Sequence, residues 1–178
     1  LGIEIGVWQG WYTAKMLHYT SMNIVAVDPW EATESYEDVD HTAENFNPFE
    51  EGPDGLLWQE ARYLSTVNNL NRIAPRDRWS ILRSYSNRAA LFFQDETVDF
   101  VYIDGEHTYE AVREDMEIWW SRVKKGGIMA GHDYNDTNPG TKKAVNEFAK
   151  KNKLDFKITG TAVETGDADA PSWVFIKE

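Results

Sequence analysis

Short, almost unbroken apolar runs alternate along this chain with longer stretches whose apolar residues recur every three or four positions. The runs are LGIEIGV (1–7), NIVAVD (23–28), RWSILRS (78–84), TVDFVYID (97–104) and GGIMAGHD (126–133). Runs of this kind, rich in β-branched residues, suit strands covered on both faces. Between them the spacing turns helical. WYTAKMLHYT (11–20) forms one expected helix. Leu56, Tyr63, Val67, Leu70 and Ile73 mark a second, over Gly55–Ala74, stopped by Pro75. Ser86–Phe93 reads as a short helix. After Asp104 the stripe Tyr109, Val112, Met116, Trp119 and Val123 sets a well-defined helix. Glu110, Glu114 and Asp115 stand in its early turns, Arg122, Lys124 and Lys125 at its end, and Gly126 is expected to cap it. NPGTKKAVNEFAKKN (138–152) is another helix, with Thr141 as the expected N-cap. LDFKIT (154–159) and PSWVFIK (171–177) follow with no helix between them, which predicts an antiparallel hairpin at one edge. Five strand–helix alternations predict an α/β fold: a doubly wound, mostly parallel sheet with helices on both faces.

Composition narrows the function. The length of 178 residues suits one domain over 1–178. A net charge of −12 argues against a general nucleic-acid binder. The absence of cysteine excludes disulfides, a thiolate nucleophile and a cysteine-based zinc site. No signal peptide and no membrane-spanning apolar run is evident, so a cytoplasmic location is the expectation. The chain starts at Leu1, and the natural protein is expected to begin upstream. Residues 31–54 carry nine acids (Glu31, Glu34, Glu37, Asp38, Asp40, Glu44, Glu50, Glu51, Asp54) and no Lys or Arg. That segment reads as an exposed loop or lid.

In parallel sheets of this kind ligands bind beyond the carboxyl ends of the strands. The residues there are Glu4–Gly10, Asp28, Ser84–Ser86, Asp104–His107 and His132–Tyr134. In EIGVWQG, Gly6 and Gly10 allow a tight turn and close backbone approach to a ligand, while Trp8 rules out the dinucleotide G-x-G-x-x-G pattern. Asp28, 22 residues after Gly6, sits where a ribose-binding carboxylate belongs; its other reading is a cap for the turn before Pro29. In IDGEHTYE, Thr108 suits a helix N-cap, but Asp104 ends a run too apolar for an unpartnered acid. GHDY repeats the arrangement on the neighbouring strand. Asp104 and Asp133 would face each other and need a cation or a proton between them. Oxygen ligands suit Mg²⁺, Ca²⁺ or Mn²⁺, and His107 with His132 would tilt the site toward a transition metal. Strand alternation predicts that His132 and Asp133 point to opposite faces, and a lone histidine is more often a structural hydrogen-bonder.

ExGxxxG (Glu4, Gly6, Gly10), VAVD ending at Asp28, DFVYIDGEHTYE, KKGGIMAGHDY and the closing hairpin together resemble the class I S-adenosylmethionine-dependent methyltransferases. Within them the chain is most similar to small-molecule O-methyltransferases of the macrocin and sugar type. The resemblance implies a Rossmann-like seven-stranded sheet in the order 3-2-1-4-5-7-6 with the last strand antiparallel. It implies that Glu4–Gly10 cradles the methionine part of S-adenosylmethionine and that Asp28 accepts hydrogen bonds from the ribose. Pro29, Trp30, Ser84, Tyr85 and Ser86 would flank the adenine, with Asp104 beside the cofactor. In metal-dependent relatives, carboxylates matching Asp104 and Asp133 hold Mg²⁺. The sugar enzymes carry a further acid where this chain has His132. Glu106 matches their base, and His107 is the runner-up.

These features lead to methyl transfer from S-adenosylmethionine onto a small-molecule hydroxyl, of a sugar or a phenol, with divalent-cation assistance through Asp104, Asp133 and His132. Trp8, Trp11, Trp30 and Trp58 are candidates to stack on the acceptor, and a homo-oligomer is compatible. Two other readings stand beside this one: a metal-independent N- or O-methyltransferase, and a non-catalytic nucleoside-binding domain.

Overall fold

In the computed structural model the residues described are 1–31, 55–160 and 170–178, with the backbone alone for 55–57. The acidic 32–54 segment expected as a lid lies outside them. Seven strands form one sheet: β1 (Gly2–Ile5), β2 (Ile24–Asp28), β3 (Trp79–Arg83), β4 (Val98–Ile103), β5 (Val123–Gly131), β6 (Lys157–Thr159) and β7 (Ser172–Ile176). Their order is β3-β2-β1-β4-β5-β7-β6. β1 to β5 pair in parallel, and β7 runs antiparallel between β5 and β6. This is the sheet order and the antiparallel last strand that the sequence implied.

The helices are α1 (Trp11–Tyr19), α2 (Gly55–Ile73), α3 (Ser86–Ala89), α4 (Tyr109–Arg122) and α5 (Pro139–Asn152). α1 and α2 cover one face, packing Ala14, Met16, Leu17 and Leu70 against Ile24 and Trp79. α3, α4 and α5 cover the other, where Met116, Trp119, Val145 and Phe148 meet Val101, Met129, Trp173 and Phe175. Each such large side chain contributes about 1.5–3 kcal/mol when fully buried. The two layers leave the carboxyl edge of the parallel strands open between them.

Two local expectations change. Gly126 does not cap α4. Val123 takes extended backbone directly after Arg122 and already pairs with Val98, and the register then jumps to Phe100 opposite Ile128. Lys124–Gly127 therefore form a bulge within β5 rather than a helix end. Thr141 does not cap α5. Asn138 holds that position, Pro139 opens the helix, and Thr141 is 3% exposed with a hydroxyl that has no hydrogen-bond partner among the described residues. Thr141→Val should consequently leave stability unchanged or raise it by about 1 kcal/mol in denaturant titration, because it removes a buried, unsatisfied hydroxyl. Asp115, in an early turn of α4, is buried on its core side.

Gly6 follows β1 with φ of +80°, and a Cβ there would collide with the Asp104 carbonyl oxygen. The ends of β1 and β4 can approach only because this residue has no side chain. Gly6→Ala is expected to destabilise by at least about 2 kcal/mol, read from the urea midpoint, with no change in slope.

Candidate active site

The loop after β1 is built around Asp28. One carboxylate oxygen accepts from the Val7 and Trp8 backbone N–H groups at 2.9 and 3.0 Å, and the other accepts from Trp30 N–H at 2.7 Å. Trp8 sits in left-handed backbone, φ 52°, and its carbonyl accepts from Trp30 Nε1 at 2.9 Å and Thr66 Oγ1 at 3.1 Å. Trp30 is 1% exposed and packs with Val7 and Tyr63 beneath the loop. It does not flank the cleft: its indole N–H is spent holding the Trp8 carbonyl, so it orders the loop from below. Gly10 likewise faces away from the cleft. A Cβ on it would lie 2.8 Å from Thr66 Cγ2, so its smallness serves the packing of α1 on α2.

Glu4 lies at the floor, 1% exposed, and accepts a hydrogen bond from the Thr13 hydroxyl. Burial pushes its carboxyl up to about 8, with Asp104 and Asp28 adding to the rise against the Thr13 bond. Near it Tyr12 stacks on Tyr102 with ring centroids 4.0 Å apart, and the Tyr102 hydroxyl lies 3.0 Å from Ser172 Oγ. Tyr12, Tyr102 and Ser172 all line the cleft, and none was singled out from sequence. The available signal was the period of two in β4, which puts Tyr102 beside Phe100 on the α1 side.

At the other end of the cleft four side chains from two strand ends meet. His107 Nε2 lies 2.8 Å from Asp133 Oδ2, and His132 Nδ1 lies 3.4 Å from the same oxygen and 3.7 Å from Asp104 Oδ1. Asn138 Nδ2 donates to Asp133 Oδ1 at 2.9 Å. Thus His132 and Asp133 do not diverge to opposite faces. β5 ends at Gly131, and Asp133 takes left-handed backbone, φ 59°, which breaks the alternation and returns its carboxylate to the cluster. Burial alone would raise the Asp133 pKa, but hydrogen bonds and charge from His107 and His132 outweigh it and hold the carboxyl well below its usual range. The Asp133 bond raises the His107 pKa above its ordinary value of 6.5, against a partial loss of hydration. Ligand atoms of Asp104, His107 and Asp133 lie within 4.8 Å of one another, a spacing that can hold a metal ion.

The cleft brings together Glu4, Gly6, Asp28 and Pro29 with the Ser84–Ser86 turn. Asp104, Glu106, His107 and His132 continue the same wall, while Asp133 stands behind them in a small adjoining cavity. Trp8 and Trp11, 54% and 59% exposed, stand at the mouth; Trp58 does not line the cleft. Glu106 is exposed and accepts from the Thr108 hydroxyl at 2.9 Å, while Thr108 caps α4 by accepting from Ala111 N–H at 3.3 Å.

An open α/β sheet of this order with polar groups gathered along its carboxyl edge defines the methyltransferase class of fold. Residues 3–134 match the family described as "Methyltransferase domain", and the chain belongs to that family. A curated protein of Acanthamoeba polyphaga mimivirus, itself uncharacterised, is 25% identical over 153 residues, covering 82% of this chain. The chain spans 58% of that relative's length. Among solved structures, cofactor-bound Rv0187 from MTB superposes with a TM-score of 0.67 at 13% identity, over 99% of this chain and 72% of the other. An O-methyltransferase from Bacillus cereus, in complex with SAH, gives 0.59 at 15% identity over 99% and 73%. At such identities these likenesses establish the fold.

Proposed function

We propose that this protein transfers a methyl group from S-adenosylmethionine to a hydroxyl oxygen of a small acceptor. The observation that carries the proposal is that the glycine turn with its buried Glu4 and the His107 imidazole, held from behind by Asp133, open into one cleft. The residues fit the cofactor. A buried carboxyl at the floor, held neutral by burial, gains a partner when it meets an ammonium group. Asp28 has about four lone-pair sites and uses three for the backbone, which leaves room for a ribose hydroxyl. The family match and the SAH-bound neighbour support the same cofactor.

The cofactor's sulfonium supplies an activated methyl group, so the chain must orient the acceptor and remove its proton. We assign the proton to His107. Asp133 accepts from Nε2–H, which fixes the tautomer and leaves Nδ1 as the accepting nitrogen. Glu106 lines the same wall but is engaged by Thr108, whereas His107 is oriented by the Asp133 carboxylate, which favours His107. We take the acceptor to be a sugar or phenolic hydroxyl that enters past the aromatic mouth toward this base.

A second reading has one observation behind it: Asp104, His107 and Asp133 can close on a divalent cation. A mixed nitrogen and oxygen set suits Mn²⁺, Fe²⁺ or Zn²⁺ better than Mg²⁺. Such an ion would polarise the acceptor oxygen. The 2.8 Å His107–Asp133 contact is compatible with either reading, and the EDTA experiment below separates them.

Calorimetric titration of S-adenosylhomocysteine into folded protein tests the cofactor. Binding that disappears in Asp28→Ala is expected; no binding by the folded wild-type chain would refute the proposal. Turnover that survives EDTA supports His107 as base, whereas loss restored by one added cation supports the metal.

A further inference from the structure

Among the described residues the cleft is lined mostly by acids, and its lysine and arginine side chains are Lys15 on α1 and Arg62 on α2 alone. Neither takes part in the steps above. Both stand close to the exposed indoles at the mouth. Arg62 lies one turn before Thr66, whose hydroxyl holds the Trp8 carbonyl, and its guanidinium sits over the Trp8 ring, 5.6 Å from the centroid. Lys15 follows Trp11 by one turn of α1. The chain carries 30 acids, yet neither cation meets a carboxylate among the described residues. Arg83 shows the contrast: it too lies over a ring, that of Tyr63, but Glu60 takes its guanidinium at 2.6 Å. A guanidinium that rests on an indole and is partly buried keeps its N–H donors in a planar fork.

We propose, resting on the methyl-transfer reading above, that Arg62 and Lys15 bind an oxyanion carried by the acceptor, a carboxylate or a phosphate, on a body that lies against Trp8 and Trp11. Arg62 donates its fork to two oxygens of the anion, and Lys15 adds a second positive charge. The acids of the cleft then orient the acceptor. Asp104, Glu106 and Glu114 line it from the β4–α4 side, where they repel an anion. The charged end is held at the α1–α2 corner, and the hydroxyl end is left to face His107. The cofactor's own carboxylate is the rival occupant. It is joined through a single carbon to the ammonium assigned to Glu4, and Glu4 is 1% exposed at the floor, whereas Trp8 and Trp11 are 54% and 59% exposed at the mouth. That difference in depth favours the acceptor.

The test titrates phenyl phosphate and benzoate into the full chain saturated with S-adenosylhomocysteine, with benzyl alcohol as the neutral control. NMR reads the Trp8 indole N–H and the Arg62 Nε–H. At low ionic strength one anion or both should bind at least about tenfold more tightly than benzyl alcohol, shift both signals, and weaken as sodium chloride is added. The tighter of the two names the group, phosphate or carboxylate. In Arg62→Gln the preference should fall below about threefold, while S-adenosylhomocysteine affinity stays within about threefold of wild type. Anions that bind wild-type protein no better than benzyl alcohol overturn the proposal without any variant, as does an unchanged preference in folded Arg62→Gln. An S-adenosylhomocysteine affinity that drops about tenfold or more in Arg62→Gln or Lys15→Gln also overturns it, and assigns the cations to the cofactor's carboxylate. Absence of all S-adenosylhomocysteine binding by folded wild-type protein overturns the cofactor assignment and this proposal with it. Asp28-dependent binding with no preference for an anion overturns the Arg62–Lys15 assignment alone.

Discussion

His107→Ala is expected to lower kcat by about 10²–10⁴-fold while leaving S-adenosylhomocysteine affinity within about threefold. The loss is that of a general base, and the cofactor groups assigned above lie on other strands. Asp133→Asn should cost less and reveal more. The wild-type imidazole has its pKa raised above 6.5, chiefly by the hydrogen bond to Asp133. A base works deprotonated, so kcat/KM should rise with pH through that raised value. Without the carboxylate, the acid limb should move to lower pH while the plateau falls, because the imidazole is no longer held in one tautomer. An NMR titration of His107 reads the same pKa without any acceptor. Activity of His107→Ala within a few fold of wild type, or an acid limb unmoved in Asp133→Asn, would sink the assignment.

Glu4→Gln is expected to remove a large share of the pH dependence of stability. The folded-state pKa of Glu4, about 8, lies above the ordinary 4.5 of the unfolded chain. Between these values the native protein keeps a proton that the unfolded chain has released, so this contribution is present at low pH and is lost as pH rises toward 8. Each tenfold difference in proton affinity between the folded and unfolded chain is worth about 1.4 kcal/mol, so wild-type protein should lose about 3 kcal/mol between pH 5 and pH 8 from this group. Glutamine keeps an acceptor for the Thr13 hydroxyl and does not titrate, so its urea midpoint should fall less over the window than the wild-type midpoint, while Asp115 and His107 contribute alike to both proteins. Cofactor binding supplies a second readout. If the cofactor's ammonium meets Glu4, the wild-type site releases a proton on binding near pH 7. Heats measured in buffers of different ionisation enthalpy will then differ for wild type and agree for Glu4→Gln. A wild-type stability profile parallel to that of Glu4→Gln would show that the carboxyl is hydrated and charged.

Both experiments address groups whose presence at the site was readable from the chain but whose condition was not. The strand ends were legible because apolar runs stop abruptly at Glu4-Ile5-Gly6, Asp28, Asp104 and Asp133, and in a parallel sheet such ends must share one edge. The sheet order came from the family likeness of the motifs. Asp115 was also within reach. It falls on the stripe with Val112, Met116 and Trp119, so helical spacing alone points it inward, and an acid on an apolar stripe needs a partner.

Other features had no signature in one dimension. Trp8 and Trp30 are equally apolar, yet one stands at the mouth and the other holds the loop from below, because only the packing of α2 decides which indole is covered. Gly126 and Thr141 carried local signals for helix ends that pairing with β4 and burial against the core overrode. The left-handed turn at Asp133 brought its carboxylate to His107 where strand alternation sent it elsewhere. The sequence by itself determined the strands, the helices and the edge at which the acids collect, because periodicity and turn chemistry are local. The tertiary structure decided which of those acids are neutral, paired or exposed, because desolvation and hydrogen bonding depend on neighbours distant in the chain.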